Sequence, residues 1–255
     1  SNDLTLVCLE AGKGSRRPNM ALRLRKDTPE RIWDQALDTI RGGSGIPALY
    51  SEENYFRAID MAQLNLPDEA KRNIAFGGCT ELMVHGCSNV GSLDADINII
   101  NILQKYLVEN LGMTTDFNEL VDNFEKKLTQ EIYDITGIVC SNQETRGKYH
   151  PQLIRTLLID DCIDRGRHFY DGGARYNWSV VNVVGLSNAV DSLMAIYWSV
   201  FKEQKASKED ILEAMHNDFV GKDNLRSYLA SLPKYGNDDP KVNEITKRLS
   251  SFIYK

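Results

Sequence analysis

Short apolar runs alternate with longer stretches of helical periodicity along almost the whole chain. That alternation limits the fold more than any other feature. Residues 1–18 read as a helix up to a polar break at Gly12-Lys13-Gly14. Leu22 and Leu24 then alternate with Arg23 and Arg25, the period of two that marks a strand. Asp27-Thr28-Pro29-Glu30 opens a helix: Asp27 or Thr28 can cap it, and Pro29 suits its first turn. Ile32, Trp33, Ala36, Leu37 and Ile40 form its predicted apolar stripe, and Gly42-Gly43 ends it. The unit repeats, with an apolar run at residues 46–50 and a helix predicted over 52–64. A short helical turn from Pro67 leads to a third strand, Ile74-Ala75-Phe76. Helices are predicted over 95–111, 116–128, 150–165, 187–203 and 240–253, another from Ser207, and one more strand over 179–184. Strands spaced by helices of this length imply an α/β architecture with parallel strands. Four or five strands are legible, enough for an open sheet or part of a barrel. No linker divides residues 1–255, which read as one domain.

Composition narrows the class. Hydrophobic residues make up 42% of the 255 and charged residues 26%, so the chain can bury enough apolar surface to offset the entropy of ordering. The net charge of −6, with no long basic stretch, argues against nucleic acid as a partner. No stretch approaches the roughly 18 consecutive apolar residues of a membrane span. Ser1-Asn2-Asp3-Leu4 lacks the pattern of a signal peptide, and without an initiator Met it reads as the start of a piece cut from something longer. Cys8, Cys79, Cys87, Cys140 and Cys162 are odd in number and scattered, a poor disulfide framework that suits a reducing cytoplasm.

Two segments stand out chemically. In Phe76-Gly77-Gly78-Cys79-Thr80-Glu81-Leu82 an apolar strand runs into two glycines, then a cysteine and a glutamate flanking one residue. Glycine allows the close backbone approach that a tight reactive loop needs. In an extended loop, Cys79 and Glu81 can face the same side and pair a sulfur with a proton acceptor. The same residues also read as a buried cysteine beside a surface glutamate. The second segment is Tyr170-Asp171-Gly172-Gly173-Ala174-Arg175-Tyr176-Asn177-Trp178. It reads equally as a polar loop on the substrate side, offering Arg175 and Asn177, or as a helix-to-strand connection with aromatic packing. His85-Gly86-Cys87 lacks a second Cys/His pair at suitable spacing, so a metal site is not expected.

Gly78-Cys79-Thr80-Glu81 after an apolar strand resembles the cysteine loop of the glycyl radical enzymes, the pyruvate formate-lyase-like superfamily. Arg16-Arg17-Pro18-Asn19, Leu22-Arg23-Leu24, Asp27-Thr28-Pro29-Glu30 and Gly45-Ile46-Pro47-Ala48-Leu49 resemble family segments before that loop. Asn98-Ile99-Ile100-Asn101-Ile102-Leu103, Asp160-Asp161-Cys162-Ile163-Asp164-Arg165-Gly166 and Gly172-Gly173-Ala174-Arg175-Tyr176-Asn177 are similar to stretches after it. So are Ala189-Val190-Asp191-Ser192-Leu193 and Pro233-Lys234-Tyr235-Gly236-Asn237-Asp238. These stretches fall in family order over nearly the whole chain.

The resemblance implies a ten-stranded α/β barrel of two parallel halves, with the cysteine loop at its centre. It implies a glycyl radical installed by a radical S-adenosylmethionine activating enzyme, a Cys79 thiyl that abstracts hydrogen from a small-molecule substrate, and Glu81 as general base. Asp94 lies where some family dehydratases carry a substrate-binding acid; read alone it is a helix N-cap. Because Gly78 and Thr80 flank Cys79, the adjacent cysteine pair of a formate acetyltransferase-type C–C lyase is missing, and the pattern looks more like the eliminases and arylacetate decarboxylases. Leu82 stands where many eliminases have proline.

The family's Arg-Val-x-Gly-Tyr radical loop does not occur in these 255 residues. The expectation is therefore a central fragment of a glycyl radical lyase or dehydratase, inactive alone. The alternatives are a non-catalytic binding or assembly module with the same fold, or the cysteine-bearing subunit of a split enzyme. A half barrel leaves sheet edges open, so the chain is expected to self-associate, with a homodimer as one form, or to rearrange its strands.

Overall fold

A computed structural model describes residues 2–77, 81–91 and 94–253. In chain order the elements are α1 (Asp3–Ala11), β1 (Ala21–Leu24), α2 (Glu30–Thr39), β2 (Ala48–Ser51), α3 (Glu52–Met61), α4 (Asp68–Arg72), β3 (Ile74–Phe76), β4 (Leu82–Val84) and β5 (Ser88–Val90). There follow β6 (Ala95–Asn98), α5 (Ile99–Asn110), α6 (Phe117–Tyr149), α7 (Leu153–Leu158), β7 (Tyr176–Trp178), β8 (Val181–Val184), α8 (Leu186–Ile196), α9 (Lys208–His216), α10 (Asp223–Ser231) and α11 (Pro240–Ile253). β1 pairs with β2, β5 with β7 and β6 with β8, all parallel; β3 and β4 form an antiparallel hairpin. The architecture is α/β, as the alternation of periods predicts.

Two compact units divide the chain: residues 1–92 with 150–178, and residues 93–149 with 179–255. The first holds two small cores. Leu9, Leu22, Leu24, Ile32 and Ala36 join α1, β1 and α2, while Ile59, Leu66, Ala70, Ile74 and Val84 lie under the β3–β4 hairpin. The second unit has one larger core of α5, α6, α8 and α11, with Phe124, Leu128, Leu193 and Leu249 fully buried.

Several expectations need correction. α2 buries Ile32, Ala36 and Thr39, whereas Trp33 and Leu37 of its expected stripe face outward. Neither Asp27 nor Thr28 caps it. Pro29 occupies the cap position, and Thr28 Oγ1 instead accepts the Arg25 N–H at 2.8 Å. The helix expected over 95–111 begins with a strand, β6, whose partner β8 is 86 residues away along the chain. Asn98 then caps α5 by accepting the Asn101 N–H at 3.1 Å. The helix read to residue 128 continues as α6 to Tyr149, through Gly137 and the β-branched Ile135-Thr136. The helix read over 150–165 is only α7, with turns after Leu158. β4, β5, β7 and α10 were not anticipated. The Ser207 cap of α9 is present as expected, closed into a capping box by Asp210.

Candidate active site

The hairpin that holds the Cys-x-Glu segment is built from three directions. Arg23, on β1, donates from Nη1 to the carbonyls of Arg72 and Ile74 at 3.3 and 2.9 Å, and pairs through Nη2 with Glu52 at the start of α3. A charged donor thus fixes the start of β3 from a half-buried position, where such bonds contribute more than neutral ones. β3 and β4 then pair in the register Ile74↔Val84, Ala75↔Met83, Phe76↔Leu82. One further bond closes the ladder, from the Gly77 N–H to the Glu81 carbonyl at 2.8 Å. Cys79 lies outside the described residues, in the three-position span between Gly77 and Glu81.

Glu81 is described, and its side chain is buried: the residue is 4% exposed. A surface position for this glutamate is therefore excluded. Its carboxylate is seated against the Gly77 backbone, where a methyl group would overlap Oε2 and come within 3.2 Å of Cδ and of Met83 Cε. Glycine at position 77 serves this close approach rather than a left-handed turn. Next to the hairpin lies an aromatic cluster. The Tyr50 ring stacks on Phe76 (centroids 3.9 Å apart, planes at 8°), and Tyr55 meets Tyr50 and Phe76 edge-on at 5.5 and 4.8 Å. Burial pushes the Tyr50 phenol up, and the negative charge of Glu81 adds to the shift. A carboxylate is costly to bury unless it is partnered, and buried carboxylates concentrate at functional sites.

Each of the other candidates is partnered within its own unit. Asn177 lies on β7 opposite Asn89, and its Nδ2 donates to the Ala174 carbonyl at 2.8 Å. Arg175 grips Asp161 through Nε and Nη2 at 2.9 and 2.6 Å, holding that carboxyl below the usual carboxylate range and its own guanidinium above its usual value. Asp94 belongs to the second unit, whereas Glu81, Arg175 and Asn177 belong to the first. Asp94 is not a helix cap. It accepts from Arg146 Nη1 at 2.9 Å and from the Val180 N–H at 3.3 Å, and its own N–H donates to the Val180 carbonyl at 3.1 Å. Its side chain is 5% exposed against 40% for Arg146.

Two residues at the hairpin were not foreseen as parts of a site. Trp178 donates its indole N–H to the Leu82 carbonyl at 3.0 Å, and Tyr50 supports Phe76. Trp178 sat within the segment singled out above, but nothing in its spacing links it to a loop 96 residues earlier. Among the described residues, no three or more His, Cys, Asp or Glu side chains converge as metal ligands. Cys87 Sγ instead donates to Asp160 Oδ2 at 3.6 Å, with its thiol pushed up by burial and by that carboxylate.

A family model described as pyruvate formate lyase-like matches residues 1–255. The trans-4-hydroxy-L-proline dehydratase of Clostridioides difficile is 28% identical over 93% of this chain and 32% of its own length. A solved glycyl radical enzyme from Archaeoglobus fulgidus superposes with a TM-score of 0.81 and 27% identity over 99% of this chain and 34% of its own. The glycerol-bound form of the B12-independent glycerol dehydratase from Clostridium butyricum gives a TM-score of 0.86 at 24% identity, over 99% and 34%. The chain thus spans about a third of the length of these relatives, 32% to 34%.

Proposed function

The chain belongs to the pyruvate formate lyase-like family, and on that premise we propose that it is the cysteine-loop segment of a glycyl radical lyase acting on a small polar hydroxylated molecule. Its α/β fold is that of part of a glycyl radical enzyme barrel. We propose further that residues 1–255 form part of one such barrel domain and work in the cytoplasm. The radical-bearing glycine would come from outside these 255 residues, installed by a radical S-adenosylmethionine activating enzyme. Asp94, Arg175 and Asn177 are weaker candidates for substrate contacts.

The family's glycyl radical supplies the oxidising power with which such chemistry begins. In this chain Cys79 is the residue that would exchange hydrogen with the substrate: its thiyl takes a hydrogen atom from a carbon bearing a hydroxyl, leaving a thiol and a carbon radical. Glu81 then takes the hydroxyl proton. The electron density left on oxygen moves into the radical centre and expels the leaving group from the neighbouring carbon. When that group is hydroxide, the proton held by Glu81 completes water, and the product radical regains hydrogen from the Cys79 thiol. A base for this step needs a fixed position and a water-poor setting.

The observation that most supports this reading is the buried Glu81 carboxylate seated over Gly77, two positions from Cys79. Gly77 gives the carboxylate room that any side chain would take, so the residues present fit the chemistry the family's radical requires. The test is anaerobic turnover of the radical-bearing protein with glycerol and with 1,2-propanediol, each of which carries a second hydroxyl beside the carbon that gives up hydrogen. Glu81→Gln is expected to lower kcat by roughly 10²- to 10⁴-fold, the range for loss of a general base. Unchanged turnover in E81Q would overturn the assignment. The 255-residue chain alone, treated with an activating enzyme, is expected to show no glycine-centred doublet by electron paramagnetic resonance; a doublet from it would contradict the proposed division of labour.

A further inference from the structure

We infer that Gly77 and Trp178 are positioning residues for Glu81, a clamp that holds its carboxylate from two sides of the β4 backbone. The inference rests on the reading of Glu81 as base and extends it to the residues that aim it.

Backbone geometry is the starting point. In an antiparallel hairpin, successive carbonyls of a strand point to opposite edges. The Glu81 carbonyl points toward β3 and accepts the Gly77 N–H at 2.8 Å. The next carbonyl, that of Leu82, points away from β3 and accepts the Trp178 indole N–H at 3.0 Å. Both peptide units that follow the Glu81 side chain are therefore held, one from each edge. On the β3 side the absence of a Cβ at Gly77 leaves the space that the Glu81 carboxylate fills.

Trp178 is itself anchored. It ends β7, opposite Val90 of β5, and its carbonyl accepts the Gly91 N–H at 3.2 Å. Its ring packs with Leu82 and Tyr176 against the Ile59, Ile74 and Val84 core, with the Tyr176 ring centroid 5.8 Å away. The parallel β5–β7 pair thus carries a rigid arm to the base of the cysteine loop. A segment legible only as either a substrate loop or an aromatic connection takes on a third role: through the Leu82 carbonyl it fixes the backbone that carries Glu81.

Two variants test the clamp. Trp178→Phe keeps an aromatic ring and removes the N–H; Gly77→Ala puts a methyl group where the Glu81 carboxylate lies and so displaces it. Tyr50 provides a readout free of substrate, because the charge of Glu81 helps hold its phenol up. In the full chain labelled at the tyrosine ring, and assigned with Tyr50→Phe, the Tyr50 midpoint is expected to fall in Glu81→Gln and to fall in Gly77→Ala. In the radical-bearing protein both clamp variants are expected to lower kcat, by about 10²-fold for a carboxylate displaced by about 1 Å, with KM within twofold of wild type. Trp178→Phe is expected to keep the wild-type circular dichroism spectrum, so it carries the test should Gly77→Ala not fold. If E81Q lowers both kcat and the Tyr50 midpoint while G77A and W178F leave them at wild-type values, the clamp is wrong and the base assignment stands. If E81Q turns over normally, the base assignment fails and the clamp fails with it.

Discussion

Glu81 and Asp94 are both carboxylates with almost no exposed surface, yet their surroundings give them different work. Asp94 is engaged by Arg146 and by the Val180 backbone, so its charge is used to hold the end of α6 near the start of β8. Removing a charged acceptor from a half-buried hydrogen bond typically costs about 1–3 kcal/mol. Asp94→Asn is therefore expected to destabilise the chain by about 1–3 kcal/mol in urea denaturation. A variant with wild-type stability would contradict this structural role and favour a substrate contact. The sequence pointed to both carboxylates, through the Cys-x-Glu spacing and through the resemblance. It could not show the partner of Asp94, because Arg146 lies 52 residues away and lacks any local pattern linking them.

Elements show where periodicity informs and where it fails. The α2 stripe has the right period and is narrower than expected: Ile32 and Ala36 are fully buried, while Leu37 is 48% exposed. Ile32→Ala is expected to cost about 2–5 kcal/mol and Leu37→Ala under about 1 kcal/mol, read from denaturation midpoints. Equal costs would contradict the observed packing. β4, β5 and β7 have three residues each, too few for an alternating pattern to be visible; β4 exists as the return strand of the β3 hairpin, and β5 and β7 because they pair with each other from distant parts of the sequence. Ala95–Asn98 was absorbed into a helix because Ile97 extends the apolar spacing of α5; its pairing with β8 decides otherwise. The Arg175–Asp161 pair fastens the turn after α7 to the start of β7. Arg175 holds the Asp161 carboxyl below its unfolded-state value, so the pair's contribution is present above about pH 4 and lost as pH falls through the lower folded-state value. Asp161→Asn is expected to flatten the acid limb of stability between wild type and variant, followed by thermal melts from pH 6 downward. An unchanged acid limb would contradict the assignment.

At the scale of the whole molecule, α7 exposes Leu153, Ile154, Leu157 and Leu158, each about 70% accessible, and Ile163 follows. Contiguous exposed apolar side chains of this kind drive association. The chain is expected to self-associate in sedimentation velocity, and Ile154→Lys with Leu158→Lys to reduce it. A monodisperse monomer would contradict that. The α/β class was legible because alternating periods survive over long stretches. The division into two units was not, since each is assembled from two separate stretches of chain and no linker marks the crossings. The proposed function turns on Cys79 exchanging hydrogen with substrate while the radical is stored elsewhere. Its most direct test is Cys79→Ala in the anaerobically activated, radical-bearing protein, with the electron paramagnetic resonance signal and product formation measured on one sample. A glycyl signal of wild-type intensity with no turnover is expected; product formation by the variant would contradict the proposed role of Cys79.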